Sequence, residues 1–133
     1  SGQRSAVSGQ LAVNNLVGGV LQGVDGLNFN DVGEINNNGI IQSNNLTLTS
    51  DHRRLTTNLS NSGSSALIYS VADLNLSNIG TLTNTNNAII NTNGALNIAA
   101  TNLVNDFGAV INSANEYHYL LNKDVNFLSY LCL

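Results

Sequence analysis

The sequence predicts an all-β chain wound as a parallel β-helix, a β-solenoid with coils of about 19–24 residues. Three observations carry that expectation. A phrase of the form apolar–x–Asn, followed closely by Gly and an apolar pair, recurs with anchors at Leu16, Ile35, Leu59, Leu82 and Leu103, spaced by 19, 24, 23 and 21 residues. A second apolar pair, one residue apart, follows each anchor: Leu27/Phe29, Leu46/Leu48, Leu74/Leu76, Leu96/Ile98 and Tyr117/Tyr119. Asparagine fills roughly a fifth of the chain and proline is absent, a composition hostile to helices and harmless to strand ladders. A period near twenty enclosing a period-two alternation is the signature of a stack of coils.

Each element of the coil follows in order. Two residues after the anchors stand Gly18, Asn37, Asn61, Asn84 and Asn105. Superposed coils would stack Asn37, Asn61, Asn84 and Asn105 into a ladder of amide hydrogen bonds. Four residues after the anchor come Gly39, Gly63 and Asn86, residue types that tolerate positive φ, so this column is expected to turn the corner. In the last repeat Phe107 takes that column and Gly108 follows, which predicts a one-residue slip. Short strands are expected at Ile40–Ile41, Leu67–Ile68, Ile89–Ile90 and Val110–Ile111. In the alternating strand that follows, Leu and Ile face inward and Thr or Asn outward. Each buried aliphatic side chain contributes about 1.5–3 kcal/mol before ordering entropy, so one coil alone cannot fold and a stack can. The repeat that starts at Ile35 is long, and its excess, Asp51-His-Arg-Arg-Leu55, is expected to bulge as a loop. Asn38–Gly39 and Asn93–Gly94 also suit type I′ hairpins, so a β-sandwich is the competing architecture. The solenoid is preferred because the same side-chain order returns in register.

Charge narrows the function classes. Net charge is −4, with four Lys and Arg in 133 residues, which gives no electrostatic footprint for nucleic acid and no polybasic membrane patch. No apolar run is long enough to span a bilayer, and no signal peptide is visible in Ser1–Gln10. The single cysteine excludes an internal disulfide framework. Both ends fall within the repeat pattern, so the chain reads as a fragment of something longer. Residues 1–115 are expected to form the repeat segment, and residues 116–133 a divergent last coil or tail.

The phrases Ile35-Asn-Asn-Asn-Gly-Ile-Ile-Gln-Ser-Asn-Asn-Leu-Thr-Leu-Thr-Ser50 and Leu82-Thr-Asn-Thr-Asn-Asn-Ala-Ile-Ile-Asn91, with Ala95-Leu-Asn-Ile-Ala-Ala100 and Leu103-Val-Asn-Asp106, carry a resemblance. The sequence resembles the haemagglutinin repeats of bacterial two-partner-secretion exoproteins, the filamentous haemagglutinins and contact-dependent growth-inhibition exoproteins, over about residues 11–113. That resemblance implies a right-handed parallel β-helix on a filament at the bacterial cell surface or secreted from it. It also implies export through an outer-membrane transporter. No recognisable amino-terminal secretion domain or carboxy-terminal toxin is present in the sequence given.

Candidate chemistry is sparse. Asp73 and Glu116 share a column two coils apart, about 9–10 Å, at the outer edge for a paired-carboxylate glycosidase, with Ala95 between them. The bland reading, two solvated surface acids, is preferred. His52, Arg53 and Arg54 offer a surface cluster for an anionic glycan or sulfate, against the commoner reading of a wet loop. His118 lies between two tyrosines, and Cys132 has no catalytic partner near it in sequence. Gly18–Gly19 is too isolated to cradle a phosphate. No His, Cys and carboxylate spacing suits a metal, so no catalytic, cofactor or metal residue is assigned. Asn45, Asn58 and Asn75 head glycosylation sequons that arise by chance in such a composition. Thr47/Thr49 and Thr83/Thr85 fall in different columns, against an ice-binding face. Exposed end coils would favour self-association.

The expected function is therefore not enzymatic. The chain is read as the stalk or adhesin segment of a filamentous-haemagglutinin-like exoprotein, with host or neighbouring cell surfaces and their glycans as partners. The alternatives are the stalk of a growth-inhibition toxin exoprotein and a fragment of a β-helix polysaccharide lyase or glycosidase.

Overall fold

The computed structural model describes residues 4–8, 12–30, 32–49, 57–115, 117–121 and 125–127. The chain winds in successive coils. The first runs through β1 (Arg4–Ser8), β2 (Ala12–Asn15) and β3 (Val20–Gly23), and the second through β4 (Gly26–Asn30), β5 (Glu34–Asn37) and β6 (Ile40–Ser43). The third contains β7 (Leu46–Thr49), β8 (Thr57–Ser62) and β9 (Leu67–Ser70). Then follow β10 (Leu74–Thr85) with β11 (Ile89–Thr92), β12 (Leu96–Asn105) with β13 (Val110–Ser113), and finally β14 (Tyr117–Leu121) with β15 (Val125–Phe127). Every strand pairing among the described residues is parallel and joins equivalent positions of adjacent coils. The fold is a β-solenoid, and the sandwich of antiparallel hairpins is excluded.

Each of the first five coils has three faces. The first carries the apolar–x–apolar pairs, with Leu27, Leu46, Leu74, Leu96 and Tyr117 in one register. The second carries the Asn ladder, and the third stacks β3, β6, β9, β11 and β13. In the later coils the first two faces merge into single strands, β10 and β12. The bend between them falls in the irregularity between Leu76 and Ile79, where Asn78 has φ 55°.

The core is a set of columns. Ile35, Leu59, Leu82 and Leu103 form one, and Ile41, Ile68, Ile90 and Ile111 another; all are at most 2% exposed. A further column, which the repeat phrase does not reveal, follows the bend: Thr57, Ile79 and Ala100 are aligned and buried. Small Ala66, Ala88 and Ala109 fill the corner beside the ladder at 2% exposure or less.

Three expectations need correction. The first anchor is Val13, not Leu16: Val13 pairs with Ile35 and Asn15 with Asn37. Leu16 begins a turn closed by Gly19 N–H donating to Leu16 C=O at 2.8 Å, which leaves its side chain 70% exposed. Asn15 therefore takes the ladder position assigned to Gly18, whose φ of 84° instead serves that turn. Second, there is no slip at Phe107. Asn84 pairs with Asn105 and Ile89 with Val110, so Phe107–Gly108 superposes on Asn86–Asn87. All four residues have positive φ, at 51°, 78°, 58° and 66° respectively, and each pair forms the centre of a type I′ turn. Third, coil length reaches 28 residues between the paired Leu46 and Leu74, against 19 between Leu27 and Leu46.

Gly39 turns its corner for a different reason from the positive-φ residues. The chain passes from Asn37 to Ile40 without the extra residues of the other corners. A Cβ on Gly39 would lie 2.4 Å from Gly19 O and 2.5 Å from Leu16 O of the coil before. Only the lack of a side chain lets the shortened corner nest there. Neither Asn38–Gly39 nor Asn93–Gly94 closes a hairpin.

Candidate functional site

The interior of the second face is polar in one respect. Asn15, Asn37, Asn61, Asn84 and Asn105 are at most 5% exposed and superpose rung on rung. Each Nδ2 donates to the Oδ1 of the next: Asn15 to Asn37 at 2.8 Å, Asn37 to Asn61 at 2.7 Å, Asn61 to Asn84 at 2.8 Å and Asn84 to Asn105 at 2.8 Å. The second amide hydrogen reaches a corner carbonyl, as in Asn61 to Ile89 O at 3.0 Å and Asn105 to Ala109 O at 3.0 Å. A buried amide costs free energy unless satisfied, and here every rung satisfies its neighbour. The ladder expected for Asn37, Asn61, Asn84 and Asn105 is present, with Asn15 as its first rung.

A second polar column, which the repeat phrase did not reveal, runs inside the end of the third face: Ser43, Ser70, Thr92 and Ser113, all at most 5% exposed. Ser70 Oγ donates to Asp73 O at 2.6 Å, Thr92 Oγ1 to Ala72 O, and Ser113 Oγ to Gly94 O at 3.0 Å. These bonds fasten the corner that leads to the next first-face strand. Ser43 differs, because its hydroxyl has no hydrogen-bond partner among the described residues.

Outward-facing side chains also pair between coils. Gln42 Nε2 donates to Gln22 Oε1 at 3.1 Å, Asn97 to Asn75 at 2.8 Å, and Asn112 to Asn91 at 2.8 Å. On the third face Gln22, Gln42 and Tyr69 are consecutive in one column. Beside them opens a depression of about 220 Å³. Gln22 and Val24 line it from the first coil, Gln42, Ser43 and Asn44 from the second, and Tyr69 and Val71 from the third. Asn93 donates to the Tyr69 hydroxyl at 2.8 Å and tethers it from the coil beyond. A smaller depression of about 120 Å³ around Asp25, Asn28, Asn45 and Thr47 lies on the other side of the same corner. Once the register is known, the Gln22–Gln42–Tyr69 column is readable from the sequence. The misplaced first anchor hid it.

The expected site residues fall as follows. His52, Arg53 and Arg54 lie outside the described residues, as do Glu116 and Cys132. The backbone of His118 pairs with Asn97. Asp73 Oδ1 accepts the Ala95 N–H at 3.0 Å, so this acid fastens the coil that follows it. The sequon residues have local structural bonds: Asn58 Oδ1 accepts from Thr81 N–H at 2.9 Å and Asn75 Oδ1 from Asn97. Thr47 aligns with Asn28 and Asn75, and Thr83 with Ser60 and Val104, so no threonine column forms at these positions. Among the described residues no three His, Cys, Asp or Glu converge on a metal position, and no helix is long and apolar enough to cross a membrane.

Compared with known proteins, the chain matches no family model, no curated protein and no solved structure.

Proposed function

We propose that the chain is a stalk segment of a secreted or surface-attached adhesin of the filamentous-haemagglutinin kind, exported through an outer-membrane transporter. The observation that supports this most is the continuous Asn ladder. It commits five buried asparagine side chains to axial cohesion, which is what a rod under tension requires. The inward aliphatic columns exclude water along the same axis. The outward Asn, Gln, Ser and Thr then present a repetitive polar surface to glycans on a host or neighbouring cell. The use of Asp73 as a turn acceptor favours this reading over a polysaccharide lyase or glycosidase.

The test is adhesion of the labelled chain to epithelial and bacterial cells, beside a variant whose outward polar residues are permuted while the core columns are kept. Saturable binding of the parent alone supports the adhesin. Equal binding by both, or none by either, overturns it. An adjoining transporter gene supports the export route, and a small immunity-protein gene downstream would turn the reading toward a growth-inhibition exoprotein.

A further inference from the structure

We infer that the depression between Gln22, Gln42 and Tyr69 is a subsite for one neutral sugar ring of a glycan. The inference rests on the adhesin reading for its biological setting, but its chemistry stands on the residues. Four observations converge.

The first is placement: three successive coils bring Gln22, Gln42, Asn44 and Tyr69, far apart in sequence, to the wall of one depression. The second is amide capacity. The bond from Gln42 Nε2 to Gln22 Oε1 leaves the amide hydrogens of Gln22 and the carbonyl oxygen of Gln42 open, with Asn44 beside them. Paired donors and acceptors of this kind match vicinal hydroxyls, which both donate and accept.

The third is apolar surface in the right proportion. Val24 and Val71 are 50% and 48% exposed, and Tyr69 completes the wall. These offer contact to the C–H face of a pyranose, while its hydroxyls meet the amides. The fourth is size and charge. About 220 Å³ lies below the roughly 300–1,000 Å³ of drug-sized sites, so the space suits one ring. Among the described residues no carboxylate, ammonium or guanidinium side chain lines it, and the chain's net charge of −4 disfavours an anionic sugar. Rungs repeat at about 4.8 Å, close to the length of one hexose unit, so a glycan running along the axis would keep step with the column.

The test is a side-chain amide NMR titration of the full chain with cellobiose, lactose, N,N′-diacetylchitobiose and a heparin tetrasaccharide. At least one neutral disaccharide is expected to shift the Gln22 and Gln42 amide resonances with saturation, at a Kd on the order of 1 mM. Gln42→Ala and Tyr69→Ala should each weaken that binding about fivefold or more. Tyr69→Phe, which keeps the ring, and Asn112→Ala, in the same column but two coils beyond Tyr69, should leave it within about twofold. The inference is overturned if no neutral probe moves those resonances at tens of millimolar, if only the heparin fragment does, or if Gln42→Ala binds as the parent does. Sugar binding in a chain that adheres to no cell counts against the adhesin alone. Cell adhesion without sugar binding counts against the subsite alone.

Discussion

Replacing Asn61 by alanine tests the ladder at its middle rung. Asn61 is fully buried, and its side chain makes three hydrogen bonds: it accepts from Asn37 at 2.7 Å and donates to Asn84 at 2.8 Å and to Ile89 O at 3.0 Å. Losing three neutral bonds at about 1 kcal/mol each costs about 3 kcal/mol, and the stranded Asn84 Oδ1 adds to it. Asn37 Nδ2 is not stranded, because it keeps Gly39 O at 2.9 Å and Leu67 O at 3.2 Å. The expected loss is about 3–4 kcal/mol, a large share of the roughly 5–15 kcal/mol typical of a domain. Asn105→Ala, at the last described rung, removes two bonds and strands no amide oxygen of a neighbouring rung, so it should cost about 2 kcal/mol. Asn36→Ala removes an exposed bond to Asn14 and should stay within about 0.5 kcal/mol. Urea unfolding followed by far-UV circular dichroism reads all three as shifts in midpoint at constant slope. If Asn61→Ala costs no more than Asn36→Ala, the ladder is decoration and the account of cohesion is wrong.

Three further outcomes follow from the same geometry. Leu16→Ala should change stability by less than about 0.5 kcal/mol, whereas Leu82→Ala should cost about 2–5 kcal/mol; similar urea midpoints would restore Leu16 as a core anchor. Gly39→Ala forces a Cβ against two backbone oxygens and should destabilise by more than about 2 kcal/mol. Gly63→Ala meets open space at φ 104° and should cost about 1–2 kcal/mol, with thermal unfolding giving the order. Ser43→Ala should be neutral or slightly stabilising because no bond is lost, while Ser70→Ala removes the one hydroxyl donor that serves Asp73 O, with Asn44 O as its second acceptor, and should cost about 1–3 kcal/mol; equal losses in denaturant titrations would contradict the unpaired state of Ser43.

The sequence made the stack legible because solenoid packing is periodic: the same inward side chain returns wherever the same interior space returns. Ile41, Ile68, Ile90 and Ile111 are recognisable for that reason, and so are the ladder asparagines. Errors arose where apolar character and burial part company. Leu16 looks like an anchor, yet a turn ejects it; Asn15, two residues after Val13, was the better clue because a column rejects a rung without its amide. Corner lengths were not legible, since Asn38–Gly39, Asn86–Asn87 and Phe107–Gly108 all turn the chain, yet the first does so without positive φ and in fewer residues. The depression was hidden because its residues are far apart in sequence and meet only once register is fixed. The His52–Arg54 segment lies outside the described residues, so its role is untouched by the structure.

The amides of Asn15 through Asn105 all face the same way, each NH₂ toward the carboxy-terminal neighbour. Turning one alone would set oxygen against oxygen on one side and NH₂ against NH₂ on the other, so the row reverses together or not at all. Among the described residues the row therefore has an intrinsic polarity, an acceptor at Asn15 and a donor at Asn105. Identical lengths of such a rod would mate head-to-tail more readily than through like ends.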